Sequence, residues 1–212
     1  MSKALIDCQY FGSIYYYHIL NSSKEVLIDL GEHFKKSTYR NRCYIPGPNC
    51  VLFLTVPLEK GKNQRCVMNT LKISYNHPWQ RHHWKTLCAC YRRSPFFEYY
   101  EDEIYQLIFK ENLKLIDLNI SILNWVLNIL SLKTKIVFSE KYVENSNSEY
   151  VDWRFKLIPN KPFLEEAENY ISPKYIQVFE EKTGFKKNMS ILDLIFNEGP
   201  NARSFFTDQG LY

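Results

Sequence analysis

Apolar residues open the chain as a short block, Lys3 to Gln9 (KALIDCQ). An aromatic run follows, Ser13 to Leu20 (SIYYYHIL), and then a second short block, Glu25 to Asp29 (EVLID). Blocks of this length fit buried strands, and Ser13 ahead of the aromatic run fits a helix N-cap. The pattern predicts strand, helix, strand. Such units are right-handed with parallel strands and bind ligands beyond the carboxyl ends of the strands. Here those ends carry Gln9, Tyr10, Phe11 and Asp29.

The next apolar positions predict shorter strands. Arg42 to Ile45 stops at Pro46-Gly47-Pro48, and Val51 to Val56 is closed by Pro57. Lys60 to Gln64 reads as a surface turn, and Asn69 to Tyr75 alternates like a half-exposed strand. Two or three of these strands are expected to pair antiparallel. A helical second half follows. One helix runs from Pro78, in its first turn, to about Arg92, and Ser94-Pro95 ends it. Tyr100 to Ile116 and Leu118 to Leu130 carry helical spacing, and Lys133 to Ser139 reads as a strand. Tyr142 to Asn160 is polar and reads as a loop. Two short helices are expected at Tyr175 to Thr183 and Ser190 to Asn197. Ser190 and Asp193 resemble a capping box in the second, and Gly199-Pro200 stops it. With no repeat, low-complexity tract or linker, the expectation is one α/β domain over 1–212. It has a Rossmann-like strand-helix-strand core, a mixed sheet and a helical second half.

Composition narrows the function classes. No apolar run reaches the roughly 18 residues of a membrane span. The first residues lack a secretory pattern, so a cytoplasmic protein is expected. The six cysteines then read as free thiols. Zinc held by His82, His83, Cys88 and Cys90 would need unusual ligand spacing, and no metal site is expected. The aromatic share of 16% is high, which suggests rings lining both core and cleft.

Charge is more telling. A net charge of +4 is concentrated in two clusters. The first, KKSTYRNRC, holds Lys35, Lys36, Arg40, Asn41 and Arg42 around Tyr39. The second lies in PWQRHHWKTLCACYRRSPFFEYYE and holds Arg81, Lys85, Arg92 and Arg93 with His82 and His83. Arginine's planar fork matches phosphate bidentately and lysine adds a point charge, so the clusters suggest an anion pocket. The 23 acidic residues argue against a long nucleic-acid track. Arg81, Lys85 and Arg92 share one helical stripe, whereas His82 and His83 diverge by about 100°. Either histidine is a structural residue or a general base. Asp29 at a strand end and Glu198 after the last helix are the candidate carboxylates, each with a structural reading as an arginine partner or cap. Cys88 and Cys90 read as inert helix residues. No Ser-His-Asp pattern, Walker loop or G-x-G-x-x-G is present.

The segments CQYFGSIYYYHIL, KKSTYRNRCYIPGPN, LTVP, PWQRHHWKTLCACYRRSPFFEYYED and MSILDLIFNEGP, in this order, resemble the WbqC-like protein family in its Bacteroidetes-type form. Family members occur among genes for O-antigen and related surface polysaccharides, and attachment of glycine to an aminosugar has been suggested for them. The resemblance implies a transferase acting on the amino group of a nucleotide- or lipid-linked aminosugar. The alternative is a non-catalytic nucleotide-sugar-binding or accessory protein of the same pathway. Where many members read Q-P-x-F-F-P, this chain has Gln9-Tyr10-Phe11-Gly12. Glycine there is compatible with an anion-binding curve ahead of the helix. The expected site has His82, His83 and Asp29 as catalytic candidates. Gln9, Tyr10, Lys36, Tyr39, Arg40, Asn41, Arg42, Arg81, Lys85, Arg92 and Glu198 are expected to bind substrate or anion. The expected partner is a nucleotide-sugar or another phosphorylated small molecule, and no cofactor is named.

Overall fold

Strand β1 (Lys3–Ile6) runs through the protein centre, with Ala4, Leu5 and Ile6 all buried. A strand buried on both faces has no polar side to alternate with, which explains its continuous apolar block. The chain is described by a computed structural model over residues 2–59, 66–144, 149–159 and 172–206. Helix α1 (Ile14–Ser22) returns the chain, and β2 (Glu25–Asp29) pairs parallel to β1, from Lys3 opposite Glu25 to Ile6 opposite Ile28. Strand β5 (Lys135–Ser139) adds outside β2, and β6 (Tyr150–Asp152) adds on the far side of β1. The four-stranded sheet is entirely parallel, in the order β5-β2-β1-β6. The α/β architecture and its strand-helix-strand opening are as the sequence suggests.

Between β2 and β5 the chain makes a long excursion. The hairpin of β3 (Arg42–Pro46) and β4 (Val51–Thr55) forms a separate two-stranded antiparallel sheet, its turn closed by Gly47 N–H to the Cys50 carbonyl at 3.0 Å. Parallel and antiparallel pairing are therefore divided between two sheets. Helices α2 (Trp79–Tyr91), α3 (Phe97–Phe109) and α4 (Leu115–Leu130) follow. Near the C-terminus α5 (Glu180–Thr183) is one turn long, and α6 (Ile191–Glu198) starts at the Ser190 cap.

Several local expectations are corrected. Asn69 to Tyr75 forms no strand. A 3-10 turn at Met68–Thr70 precedes single bridges, Lys72 to Lys114 and Ile73 to Leu58. Its alternation is real, with Leu71 and Ile73 buried around exposed Lys72, but it pairs one residue at a time. The break between α3 and α4 lies at Lys110–Lys114, where Tyr75 brackets Asn112: its hydroxyl accepts from Asn112 N–H at 3.0 Å and donates to the Asn112 carbonyl at 2.9 Å. The polar Tyr142–Asn160 stretch contains β6, a three-residue edge strand too short to show periodicity. Helix occupies only Glu180–Thr183 of the expected 175–183 span. Asp193 closes no capping box, because its carboxylate turns inward to Tyr91 and Tyr175. The expected turn at Lys60 to Gln64 lies outside the described residues. Among the described residues, no helix is long and apolar enough to cross a membrane.

Candidate functional site

Three parallel strands deliver a carboxylate to the same edge of the sheet. Asp7 follows β1, Asp29 ends β2 and Asp152 ends β6. Strand order reverses between β1 and β6, the place where open parallel sheets leave a crevice. Two arginines hold this edge together. Arg154 donates through Nη1 to Asp29 at 2.5 Å and through Nη2 to Asp152 at 2.6 Å. Arg40 binds Glu32 bidentately, at 2.7 and 2.6 Å, and its Nη2 also donates to the Arg154 carbonyl at 3.0 Å. Asp7 lies 3.3 Å from Arg40 Nη1 without an aligned hydrogen bond.

Four carboxylates thus share two guanidiniums. All six side chains are buried, save that Asp152 keeps 17% of its side-chain surface. Burial pushes the Glu32 carboxyl up to about 7 against the pull of Arg40, and it raises Asp7 as well. Asp7 has the poorer contact with the Arg40 guanidinium. Gln9 Nε2 lies 3.3 and 3.4 Å from its two oxygens. Two buried acceptors in this region, Gln9 Oε1 and Asn119 Oδ1, have no hydrogen-bond partner among the described residues.

An open cavity of about 450 Å³ is lined by His33, Phe34, Lys35, Lys36, Tyr142 and Phe155. It adjoins the arginine pair through its rings. The Phe155 ring centre lies 5.7 Å from the Arg40 guanidinium and 5.9 Å from that of Arg154, and Lys35 Nζ lies 5.2 Å away. Tyr142 covers Arg154 at 4.9 Å. Both rings are about half exposed, at 46% for Phe155 and 50% for Tyr142. The connection after β5 crosses the end of β2 because Gly31 lets it: a Cβ there would sit 2.2 Å from the backbone of Lys141 and Tyr142. Asp29 Oδ2 accepts from Val143 N–H at 3.2 Å, and the Val143 carbonyl accepts from Arg154 at 2.9 Å, which fixes Tyr142 at the cavity.

Residues 8–174 of the chain match the model of the WbqC-like protein family. The chain belongs to the WbqC-like protein family. It is also similar to the uncharacterized protein Rv1507c of Mycobacterium tuberculosis (strain ATCC 25618 / H37Rv), 25% identical over 231 residues, covering 95% of this chain and 96% of that protein. No solved structure matches the chain. The span matched to the WbqC-like family contains Arg40, Arg154 and the whole cavity lining, and it ends before α5 and α6.

The residues singled out from sequence fall into several places in this WbqC-like fold. Gln9, Asp29 and Arg40 belong to the buried edge, with Lys36 at the cavity. A second group meets at Thr55. His83 Nε2–H donates to the Thr55 carbonyl at 3.2 Å, its Nδ1 accepts from the Tyr10 hydroxyl at 2.9 Å, and Arg42 Nε donates to Thr55 Oγ1 at 2.9 Å. Burial holds the His83 imidazole down at about 3, so it is neutral. Arg42 also lies over the Phe53 ring at 4.7 Å. Asn41 Nδ2 donates to the Val56 carbonyl, and the Tyr39 carbonyl accepts from Tyr10 N–H. Arg81, His82 and Lys85 stand on the exposed side of α2, with Arg92 exposed just past its end, while Trp79, His83 and Leu87 face the core. Glu198 ends α6 and accepts from Asn201 at 2.9 Å.

The start of α1 forms no anion-binding curve. Ile14 N–H is taken by the Met189 carbonyl, Tyr15 N–H by Asn188 Oδ1 and Tyr16 N–H by Ser13 Oγ. Sequence reading missed Asp7, Glu32, Asp152, Arg154, Tyr142 and Phe155. Asp7 stood in a recognised strand block, and its signal was a charge within an apolar run. The other residues depend on β6 and on loops with no pattern of their own. Among the described residues no three His, Cys, Asp or Glu side chains are grouped to hold a metal ion.

Proposed function

We propose that this WbqC-like protein is a transferase of bacterial surface-polysaccharide synthesis that acts on the amino group of a nucleotide- or lipid-linked aminosugar, with glycine a candidate for the group attached. The observation that carries this reading is the adjacency of two unlike chemistries. An open cavity carries exposed lysines and half-exposed rings, and beside it lies an edge where carboxylates outnumber guanidiniums. Lys35 and Lys36 supply charge for phosphate, and Phe155 and Tyr142 supply faces for a flat or sugar-like group. The excess of carboxylate favours an amine.

In an acyl transfer the neutral amine attacks an activated carbonyl carbon. The new C–N bond forms, the activating group leaves that carbon, and the amine gives up a proton. A base titrating near neutrality suits this last step. Glu32, pushed up to about 7, titrates in that range, whereas the buried His83 imidazole is held down at about 3; both Glu32 oxygens accept from Arg40, so Arg40 must release one for Glu32 to take the proton. A second reading, a nucleotide-sugar-binding protein without chemistry, is favoured by one observation: both arginines of the edge are committed to protein carboxylates. Calorimetry with UDP-, dTDP- and GDP-aminosugars tests the shared part, and absence of binding by all of them defeats both readings. Mass spectrometry of reactions supplied with an activated acyl donor then divides them. A mass gain on the aminosugar identifies the transferase, and binding without it identifies the carrier.

A further inference from the structure

The basic cluster on α2 plays no part in the cavity, and its surroundings suggest a different use. Helix α2 contains no acidic residue, and α3 contains no basic one. The exposed side of α2 carries Arg81 and Lys85, with Arg92 just past its end. The exposed side of α3 carries Glu98 and Asp102. Among the described residues none of these five enters an ion pair.

An aromatic seam joins the two helices. Trp84 of α2 meets Tyr105 of α3 edge-on at 5.1 Å, and Tyr105 stacks on Phe109 at 4.2 Å while remaining 44% exposed. Arg81 stands one helical turn from Trp84, and Asp102 one turn from Tyr105, so on each helix the charges and the rings share a face, cationic on α2 and anionic on α3. An apolar centre with charged margins is the anatomy of a protein interface. The charge pattern also selects the partner. A surface that is cationic on one side of a seam and anionic on the other is complementary to itself under a two-fold rotation, which lays α2 of one copy over α3 of the other.

We propose that the α2–α3 face is the interface of a homodimer. This inference is independent of the transferase reading. The test is light scattering on the full chain at about 100 µM, where a micromolar Kd leaves mostly dimer. The wild-type protein is expected at twice the mass of the chain. The double variants R81E/K85E and E98K/D102K are each expected at the mass of a single chain, because each places like charges across the two-fold. Mixed in equal amounts, they are expected to regain the doubled mass, since in the mixed dimer one contact is reversed on both sides and the other is unchanged on both, so each again pairs opposite charges. Recovery on mixing requires both variants to be folded, and matching thermal melts confirm that separately. A monomeric wild type, a variant that remains dimeric, or folded variants that stay monomeric when mixed would overturn the proposal. A monomeric wild type that instead binds anionic phosphatidylserine vesicles also overturns it and reassigns the stripe to a lipid surface.

Discussion

Arg40 meets Glu32 through two parallel hydrogen bonds, Nε to Oε1 at 2.7 Å and Nη2 to Oε2 at 2.6 Å, where neither side chain touches solvent. The fork is committed to Glu32, and its other nitrogen lies 3.3 Å from Asp7. Removing it would leave two buried carboxyl groups without their cation. Arg40→Ala is therefore expected to destabilise the fold by about 3–5 kcal/mol, the scale for breaking a buried ion pair from one side. Arg81→Ala, at an exposed position of α2, is expected to stay within about 0.5 kcal/mol. Urea unfolding of both variants measures the contrast. Similar small losses would show that Arg40 is not an electrostatic keystone of the sheet edge.

Another buried carboxylate, Asp193, has no cation among its hydrogen-bond partners in the described residues. Asp193 accepts from Tyr91 at 2.9 Å, Tyr175 at 2.5 Å and Gln177 at 2.7 Å, and burial pushes its carboxyl up to about 6. Between the ordinary aspartate range and about pH 6, the folded state holds a proton that the unfolded chain has lost. Stability therefore falls as pH rises through that window, by up to about 1.4 kcal/mol per pH unit for this one group. Asp193→Asn keeps an acceptor for the tyrosines and is expected to flatten the slope. It would not abolish the slope, because Glu32 is raised as well. Thermal unfolding from pH 4 to 7 decides it, and an unchanged slope would mean that Asp193 is ionised throughout.

What the sequence disclosed follows from how each residue is read. Lys3–Ile6, Ile14–Ser22 and Glu25–Asp29 announce themselves because burial on both faces writes apolar blocks, and Ser13 writes a cap. Arg40 and Lys36 were visible as charges in a cluster, but charge alone does not say whether an arginine faces solvent or a buried glutamate. Glu32 and Asp7 decide that, and they come together only in three dimensions. Asp152 and Arg154 were illegible because β6 has three residues. The α2 cations were legible as a helical stripe. Their separation from the strand edge was not, since spacing along a helix fixes a face but not what that face meets.

His82 and His83 are adjacent in sequence and opposite in environment. His83 is buried, with Nε2 donating to Thr55 and Nδ1 accepting from Tyr10, whereas His82 is exposed. His83→Ala would open a gap and strand the Tyr10 hydroxyl, at a cost of about 2–4 kcal/mol. His82→Ala is expected to cost less than about 0.5 kcal/mol. Because burial holds His83 down at about 3, its ring carbon proton resonances are expected to stay flat in an NMR titration from pH 5 to 8. A His83 midpoint near 6.5 would show a ring open to water, and with it a free nitrogen for acid–base work.

Gly31 sets the approach of the 141–143 connection to β2. A methyl group there would press on the backbone of Lys141 and Tyr142 at 2.2 Å, so the connection must move. Gly31→Ala is expected to cost about 1–3 kcal/mol of stability, the scale of overpacking. The displaced Tyr142 should also weaken binding at the cavity. Urea unfolding and calorimetry check the two effects separately, and neither changing would mean that the loop tolerates the shift.

The last expectation separates the two basic clusters by what they bind. Lys36 lines the cavity, and Phe155 presents a half-exposed ring there, while Arg42 is occupied by Thr55 and Phe53 at the hairpin. If phosphate of a nucleotide-sugar is held at the cavity, Lys36→Ala should weaken binding by about 1.5–3 kcal/mol, the scale of a charge-assisted hydrogen bond. The loss should shrink as salt is raised, because the site is open to solvent. Phe155→Ala should weaken binding through lost ring contact, by about 0.5–1.5 kcal/mol beyond the lost area if an aromatic base stacks there. Its salt dependence should be unaltered. Arg92→Ala, on the α2 surface, should leave the affinity unchanged. Calorimetry with one nucleotide-sugar at two salt concentrations reads all three variants. Equal losses from Lys36→Ala and Arg92→Ala would place the ligand across both clusters. A loss from Arg92→Ala alone would move the site to α2 and leave the cavity without a ligand.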